Sequence, residues 1–268
     1  MKTGPEKKLF VETPEEVEAA DAGEYTGVYA GAAFCRQALP SRERLEETLA
    51  AAAGRGFSFH FSTPPLTEDY FGRALALVEM VAEKAPGAEV IVNDFGLLDA
   101  VARDFPGLVP VAGRVMAFQK TDPVVPEILE AAFSGASRAG RRAAFSHVSI
   151  DNPLFARFLA GKRVSRIEVQ NPLQGVSIGT AEFRYSMHTP YVFVSGTMYC
   201  GPAEYYTRPG RAPGIYTCSK HCMSGWYRLK PRGGEQIFLF RGNTMYIENP
   251  EADPPPGVDR LVVHRRPS

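Results

Sequence analysis

Residues 88–115 read AEVIVNDFGLLDAVARDFPGLVPVAGRV, and this stretch decides the fold. Residues 88–94 form an apolar run ending in Asn93-Asp94 and read as a buried strand. Residues 95–105 carry helical spacing, and residues 108–115 return to strand character. Strand, helix and strand within 28 residues (88 through 115) is a βαβ unit, which implies parallel pairing and a right-handed crossover.

The same alternation extends outward. Residues 27–34 (GVYAGAAF) and 57–62 (FSFHFS) read as strands. Residues 41–56 read as a helix capped by Ser41, and residues 67–86 as a helix with Leu75, Val78 and Ala82 on one face. Downstream, 126–135 reads as a short helix, 142–148 as a strand, 153–160 as a helix and 166–171 (RIEVQN) as a strand, giving about six βα units between 27 and 171. Beyond Asn171 helical periodicity stops. Residues 176–187, 191–198 and the pair 235–240 with 243–248, turned at Arg241-Gly242, read as antiparallel strands; 201–214 and 249–257 read as loops, and 259–264 as an edge strand. The expected class is α/β: an incomplete or distorted (β/α) TIM-like barrel with a β-rich C-terminal portion. It is expected to be a single domain over 1–268, with barrel units in 27–171 and the β-rich portion in 172–268.

The 268 residues carry 30 Lys+Arg against 30 Asp+Glu, so nothing global attracts phosphate backbones or anionic membranes. The polar leader MKTGPEKKLFVETPEEVEAADAGEY has no signal-peptide core, and no apolar run reaches membrane-spanning length, so the expectation is a cytoplasmic protein with no membrane span.

Four cysteines remain to be explained: Cys35 directly after the strand 27–34, Cys200 at the end of YVFVSGTMYC, and Cys218-Ser-Lys-His-Cys222 in a polar loop. Strand C-termini of a barrel share one face, so Cys35 is expected to meet the other three despite its distance in sequence. Four thiolates suit zinc or an iron–sulfur cluster, and no close Cys-x-x-Cys knuckle argues for zinc. The plain alternative is four unconnected thiols, small apolar residues in the core or a loop. His221 is either a replacement ligand or a solvated histidine of the polar loop. Around these, His60 is expected to point into the barrel as a proton donor; Asp94 with Asn93 is either a ligand contact or a helix cap; Arg114 suits a carboxylate or a salt bridge; Glu168 and Asn171 offer acid/base and amide chemistry. Tyr199, Tyr205, Tyr206, Tyr216 and Trp226 gather near the cysteines, to stack on an aromatic substrate or to shield a cluster.

Asn93-Asp94, Gly96-Leu97 and Gly113-Arg114 within residues 54–114, with Thr121-Asp122-Pro123, the run 166–171 and the late cysteines, resemble the collagenase-like peptidase family, especially its ubiquinone-biosynthesis UbiU/UbiV branch. The resemblance spans about residues 27–225. It implies a [4Fe-4S] cluster held by Cys35, Cys200, Cys218 and Cys222, as in UbiV-like members, although the interval from Cys200 to Cys218 is longer than that pattern. It further implies a subunit of an oxygen-independent, prephenate-linked hydroxylase that acts on a quinone-type aromatic precursor with a UbiU-like partner. Catalytic candidates are then His60, Asp94, Arg114 and Glu168. Relatives that hydroxylate RNA bases supply an alternative, which the neutral charge disfavours. The peptidase alternative lacks Gly-x-Ser-x-Gly, His-Glu-x-x-His and a His-Gly before any cysteine. A non-catalytic cluster scaffold is the third alternative.

Overall fold

The computed structural model describes residues 4–121, 145–197, 200, 203, 218, 220–230, 232, 236–251 and 254–265. Along the chain run β1 (Glu6–Phe10), α1 (Pro14–Glu18), β2 (Gly27–Gly31), α2 (Arg42–Gly54), β3 (Ser58–Ser62), α3 (Glu68–Lys84), β4 (Glu89–Val92), α4 (Phe95–Asp104), β5 (Val109–Ala112), α5 (Pro153–Gly161), β6 (Arg166–Val169) and β7 (Arg184–Thr189). These are followed by β8 (Tyr191–Gly196), β9 (Tyr227–Leu229), β10 (Phe238–Arg241), β11 (Thr244–Glu248) and β12 (Val258–His264). Eight strands close a barrel in the order β1-β12-β7-β6-β5-β4-β3-β2, every pairing parallel. A separate antiparallel sheet, β8-β11-β10-β9, comes from the C-terminal part. The TIM-like barrel with a β-rich C-terminal part is therefore observed. It closes fully because β1 and β12 supply neighbouring strands.

Local chemistry starts the helices. Ser41 Oγ accepts from Arg44 N at 3.2 Å, Asp94 Oδ1 from Leu97 N at 2.9 Å, and Asn152 Oδ1 from Leu154 N at 2.9 Å with Pro153 in the first turn. Outward-facing strand residues such as Val28, Phe61, Val90 and Val92 meet the buried helix residues Leu45, Val78, Val81, Leu97 and Val101 in one apolar core. Inside the barrel, a small apolar layer of Tyr29, Ile91, Val111 and Val262 lies among charged groups. Buried Arg260 donates from Nε to Glu6 at 2.6 Å and pairs with Glu89, and buried Arg166 bonds Asp259 Oδ1 at 2.5 Å. Lys8 donates to Ser58 Oγ at 2.8 Å and lies 3.1 Å from Glu6.

That ionic interior explains where sequence reading and structure part. Residues 6–10 belong to the polar leader by composition, yet form a barrel strand whose inward Lys8 is satisfied by ions. Residues 259–264 read as an edge strand, but β12 lies between β1 and β7. Residues 176–187 read as antiparallel; the strand is Arg184–Thr189, parallel to β6 and β12, while Gly179 N bonds Asp151 Oδ1 at 3.0 Å in the preceding loop. Strand β10 runs to Arg241, so the hairpin turn is Gly242-Asn243, with Gly242 at φ +60°. The helix expected at 126–135 lies outside the described residues; of the strand expected at 142–148, residues 145–148 are described and are not strand. Among the described residues no helix is long and apolar enough to cross a membrane.

Candidate functional site

The C-terminal ends of β1, β2 and β12 and the turn after β5 open into a cavity of about 520 Å³, walled on its far side by the β10–β11 hairpin and the segment around Trp226. Among the contacts that hold this sheet to the barrel, three start from residues just beyond β1 and β2. Arg241 forms a two-pronged ion pair with Glu12, just beyond β1, and stacks on Trp226 at 5.6 Å. Phe34, after β2, stacks on Phe193 of β8 at 4.2 Å between ring centroids. Asn243 Nδ2 reaches Phe34 O at 3.4 Å.

Arg114 enters the cavity on a braced turn. Asn93 Nδ2 donates to Thr63 O at 2.8 Å and its Oδ1 accepts from Val115 N at 3.0 Å; a Cβ on Gly113 would stand 2.3 Å from that oxygen, so only glycine lets the brace pass. The guanidinium lies 4.4 Å over the Phe34 ring, and Arg114 is only 5% exposed. Its Nη1 has no hydrogen-bond partner among the described residues. Burial pushes its pKa down to about 10. A buried cation with a vacant donor suits an anion's oxygen.

All four cysteines interact with one another electrostatically, every pair of them. Burial pushes the thiols of Cys35, Cys200 and Cys222 up, Cys222 to about 11, and the neighbouring sulfurs add to it. Backbone N–H groups aim back at the sulfurs: Gln37 and Ala38 at Cys35, Ala203 at Cys200, and Lys220 at Cys218 at 3.3 Å. A Cβ on Gly242 would stand 3.6 Å from Cys222 Sγ and 3.9 Å from Cys35 Sγ. Cys35 and Cys222 line the cavity. Among the described residues no three His, Cys, Asp or Glu side chains are gathered tightly enough to hold a single metal ion. A four-iron cluster asks less closeness of its thiolates than one tetrahedral ion does, because each binds a different corner of the cube, and the donor set fits that group.

The other expected site residues separate. Asp94 is the α4 cap, its second oxygen accepting from Leu66 N at 3.4 Å, and it does not line the cavity. Asn171 fastens a loop, donating to Glu251 O at 2.7 Å. His60 does point into the barrel, but below the cavity: Nε2 lies 3.0 Å from Ser58 Oγ and Nδ1 2.9 Å from Glu89 Oε2, with the ring stacked on Tyr29 at 4.7 Å. This Ser–His–carboxylate row lies outside the cavity lining, and the His–Glu contact lacks hydrogen-bond alignment. Of the tyrosines expected near the cysteines, Tyr199, Tyr205, Tyr206 and Tyr216 lie outside the described residues; Trp226 lines the cavity.

Glu168 is fully buried; burial raises its pKa to about 7 against the pull of Arg260 and a 2.9 Å hydrogen bond from Tyr29. It bonds His188 Nε2, and His188 Nδ1 lies 2.8 Å from His264 Nε2. His264 stacks on Phe10 at 4.7 Å and lines the cavity. Sequence reading missed both histidines. The signal is the inward alternation of Ser186 with His188 on β7 and of Arg260, Val262 and His264 on β12.

No family model and no curated protein matches the chain. Among solved structures, a U32 peptidase is similar over 100% of this chain and 96% of its own, at 11% identity and TM-score 0.48. D-Psicose 3-epimerase from Clostridium cellulolyticum H10, solved with D-tagatose, is similar over 68% of this chain and 63% of its own, at 11% identity and TM-score 0.28.

Proposed function

We propose that this protein is the iron–sulfur subunit of an oxygen-independent hydroxylation system acting on a small aromatic, quinone-precursor substrate, with a UbiU-like partner. The observation that carries the reading is that Cys35, Cys200, Cys218 and Cys222 all interact with one another, and that two of them, Cys35 and Cys222, line a cavity that also presents Arg114. These cysteines would hold a [4Fe-4S] cluster, which supplies one-electron chemistry when bound. The backbone N–H groups aimed at the sulfurs of Cys35, Cys200 and Cys218 are donors that would tune the potential of a bound cluster.

The chain's own residues do the rest. Arg114 Nη1 takes a carboxylate oxygen, as a prephenate-like donor would offer. Phe34, Trp226 and Tyr246 line the cavity with aromatic surface, and Tyr246 stays a neutral phenol because burial pushes its pKa to about 12. The Arg241–Glu12 pair keeps the hairpin in place, which limits water around the bound molecule.

Anaerobic purification with iron and acid-labile sulfide assays tests the proposal. About four irons and four sulfides per chain are expected, lost in Cys218→Ala and Cys222→Ala. A colourless protein with stoichiometric zinc, or full iron retention in both variants, would sink it.

A further inference from the structure

The Glu168–His188–His264 row ends at the cavity floor, and the atoms of its hydrogen bonds admit two arrangements. With Glu168 ionised, His188 Nε2–H donates to the carboxylate, His188 Nδ1 accepts from His264 Nε2–H, and His264 Nδ1 is left with a bare lone pair. With Glu168 protonated, its Oε2–H donates to His188 Nε2, His188 Nδ1–H donates to His264 Nε2, and His264 Nδ1 carries the hydrogen. Both arrangements keep every internal bond. They differ by one proton, and the cavity sees that difference at His264 Nδ1, which has no partner among the described residues.

We propose that Glu168, His188 and His264 form a proton relay that switches His264 Nδ1 between accepting and donating at the cavity floor, so that the site exchanges one proton with an acidic oxygen of its ligand. In the accepting direction the ligand's O–H bond breaks and His264 Nδ1–H forms. His264 Nε2–H passes its proton to His188 Nδ1, His188 Nε2–H passes its own to Glu168 Oε2, and the ligand keeps the electron pair as an anion beside Arg114. Negative charge moves from Glu168 to the ligand, and neither imidazole remains a cation.

The surroundings suit this. Burial together with Arg114 holds both imidazoles well below their usual pKa, so they are neutral carriers. Arg241 acts on His264 in the same sense. Tyr29 of β2 donates to Glu168 and receives Arg260 Nη1 at 2.9 Å, and burial holds its phenol well above the usual range, so it stays a donor in both states. Arg260 of β12 and Arg166 of β6 pull Glu168 down; Glu89 of β4, which neighbours His60, pushes it up; burial exceeds them, leaving the carboxyl near neutrality.

The inference rests on this cavity being the functional site and not on the cluster, so its test does not involve iron. The full chain is labelled with ¹⁵N-histidine, and His264 and His188 are assigned with His264→Phe and His188→Phe. In the wild type, both rings are expected to exchange tautomers together, with one midpoint near 7 and without becoming cationic. In Glu168→Gln, where the amide N–H replaces the acid proton, His264 Nδ1 is expected to stay protonated from about pH 5.5 to about pH 8.5, with the far-UV circular dichroism unchanged. Independent titration of the two rings to imidazolium, or a wild-type tautomer that never changes across this range, would overturn the relay. The wild-type measurement decides the matter even if a variant does not fold.

Discussion

At the scale of single residues, Arg114 is a cation held at a desolvation cost. Its guanidinium is buried over Phe34, and Nη1 has no hydrogen-bond partner among the described residues. Arg114→Met is therefore expected to raise stability by about 1–2 kcal/mol in urea denaturation while abolishing the binding of a small aromatic carboxylate such as benzoate. A less stable variant would mean that the charge is already compensated within the chain. Arg114→Lys is expected to restore the charge without the forked geometry and to recover little binding. Glu168 makes a prediction in pH. Its folded pKa lies above the unfolded value, so the native state holds the proton more tightly than the unfolded chain between about pH 4.5 and 7. Wild-type stability should fall across that window relative to Glu168→Gln, by on the order of 3 kcal/mol, and remain lower above it. Glu89 pulls the opposite way: its His60 and Arg260 neighbours hold it below the usual carboxylate range, so its contribution is present at neutral pH and lost on acidification. Parallel pH profiles of the wild type and Glu168→Gln would reject the assignment.

At the scale of elements, legibility followed burial chemistry. The outer faces of β2 to β6 pack on helices, so their apolar runs stand out, and Ser41 and Asp94 mark helix starts by their capping geometry. Strands β1 and β12 read in sequence as a leader and an edge, because Lys8 and Arg260 face an ionic interior that no hydrophobic period records. The site divides in the same way. Cysteine order and the Gly113-Arg114 turn were visible in one dimension, whereas the His188–His264 contact joins residues 76 positions apart and depends on which strands are neighbours. Gly31 offers a test at this scale. It lies at φ +110°, and a Cβ there would stand 2.2 Å from Ser62 O, a backbone atom with no room to give. Gly31→Ala is expected to cost about 3 kcal/mol or more and to deform the cavity wall, read as a lowered Tm. An unchanged Tm would show that β2 and β3 approach less closely.

At the scale of the whole molecule, the closing strand carries both structure and site. β12 pairs with β1 on one side and β7 on the other, and delivers Arg260 to the ionic interior and His264 to the cavity. A chain ending at Gly257 loses two ladders at once. It is expected to show no cooperative unfolding transition and to bind hydrophobic dyes; a sharp transition would mean that the remaining strands close without it.

The pairing of β1 with β12 also sets a timetable for synthesis. Glu6 and Arg260 stand 254 positions apart, so a ribosome adding about 5–20 residues each second makes the first strand roughly 13–50 s before its partner exists. Throughout that interval β1 has an unpaired edge and Lys8 lacks its finished ionic surroundings. The nascent chain must be kept from pairing with the wrong strand until its last strand emerges, and a chain released early would lack the closing strand, the relay's outer histidine and part of the cavity wall together.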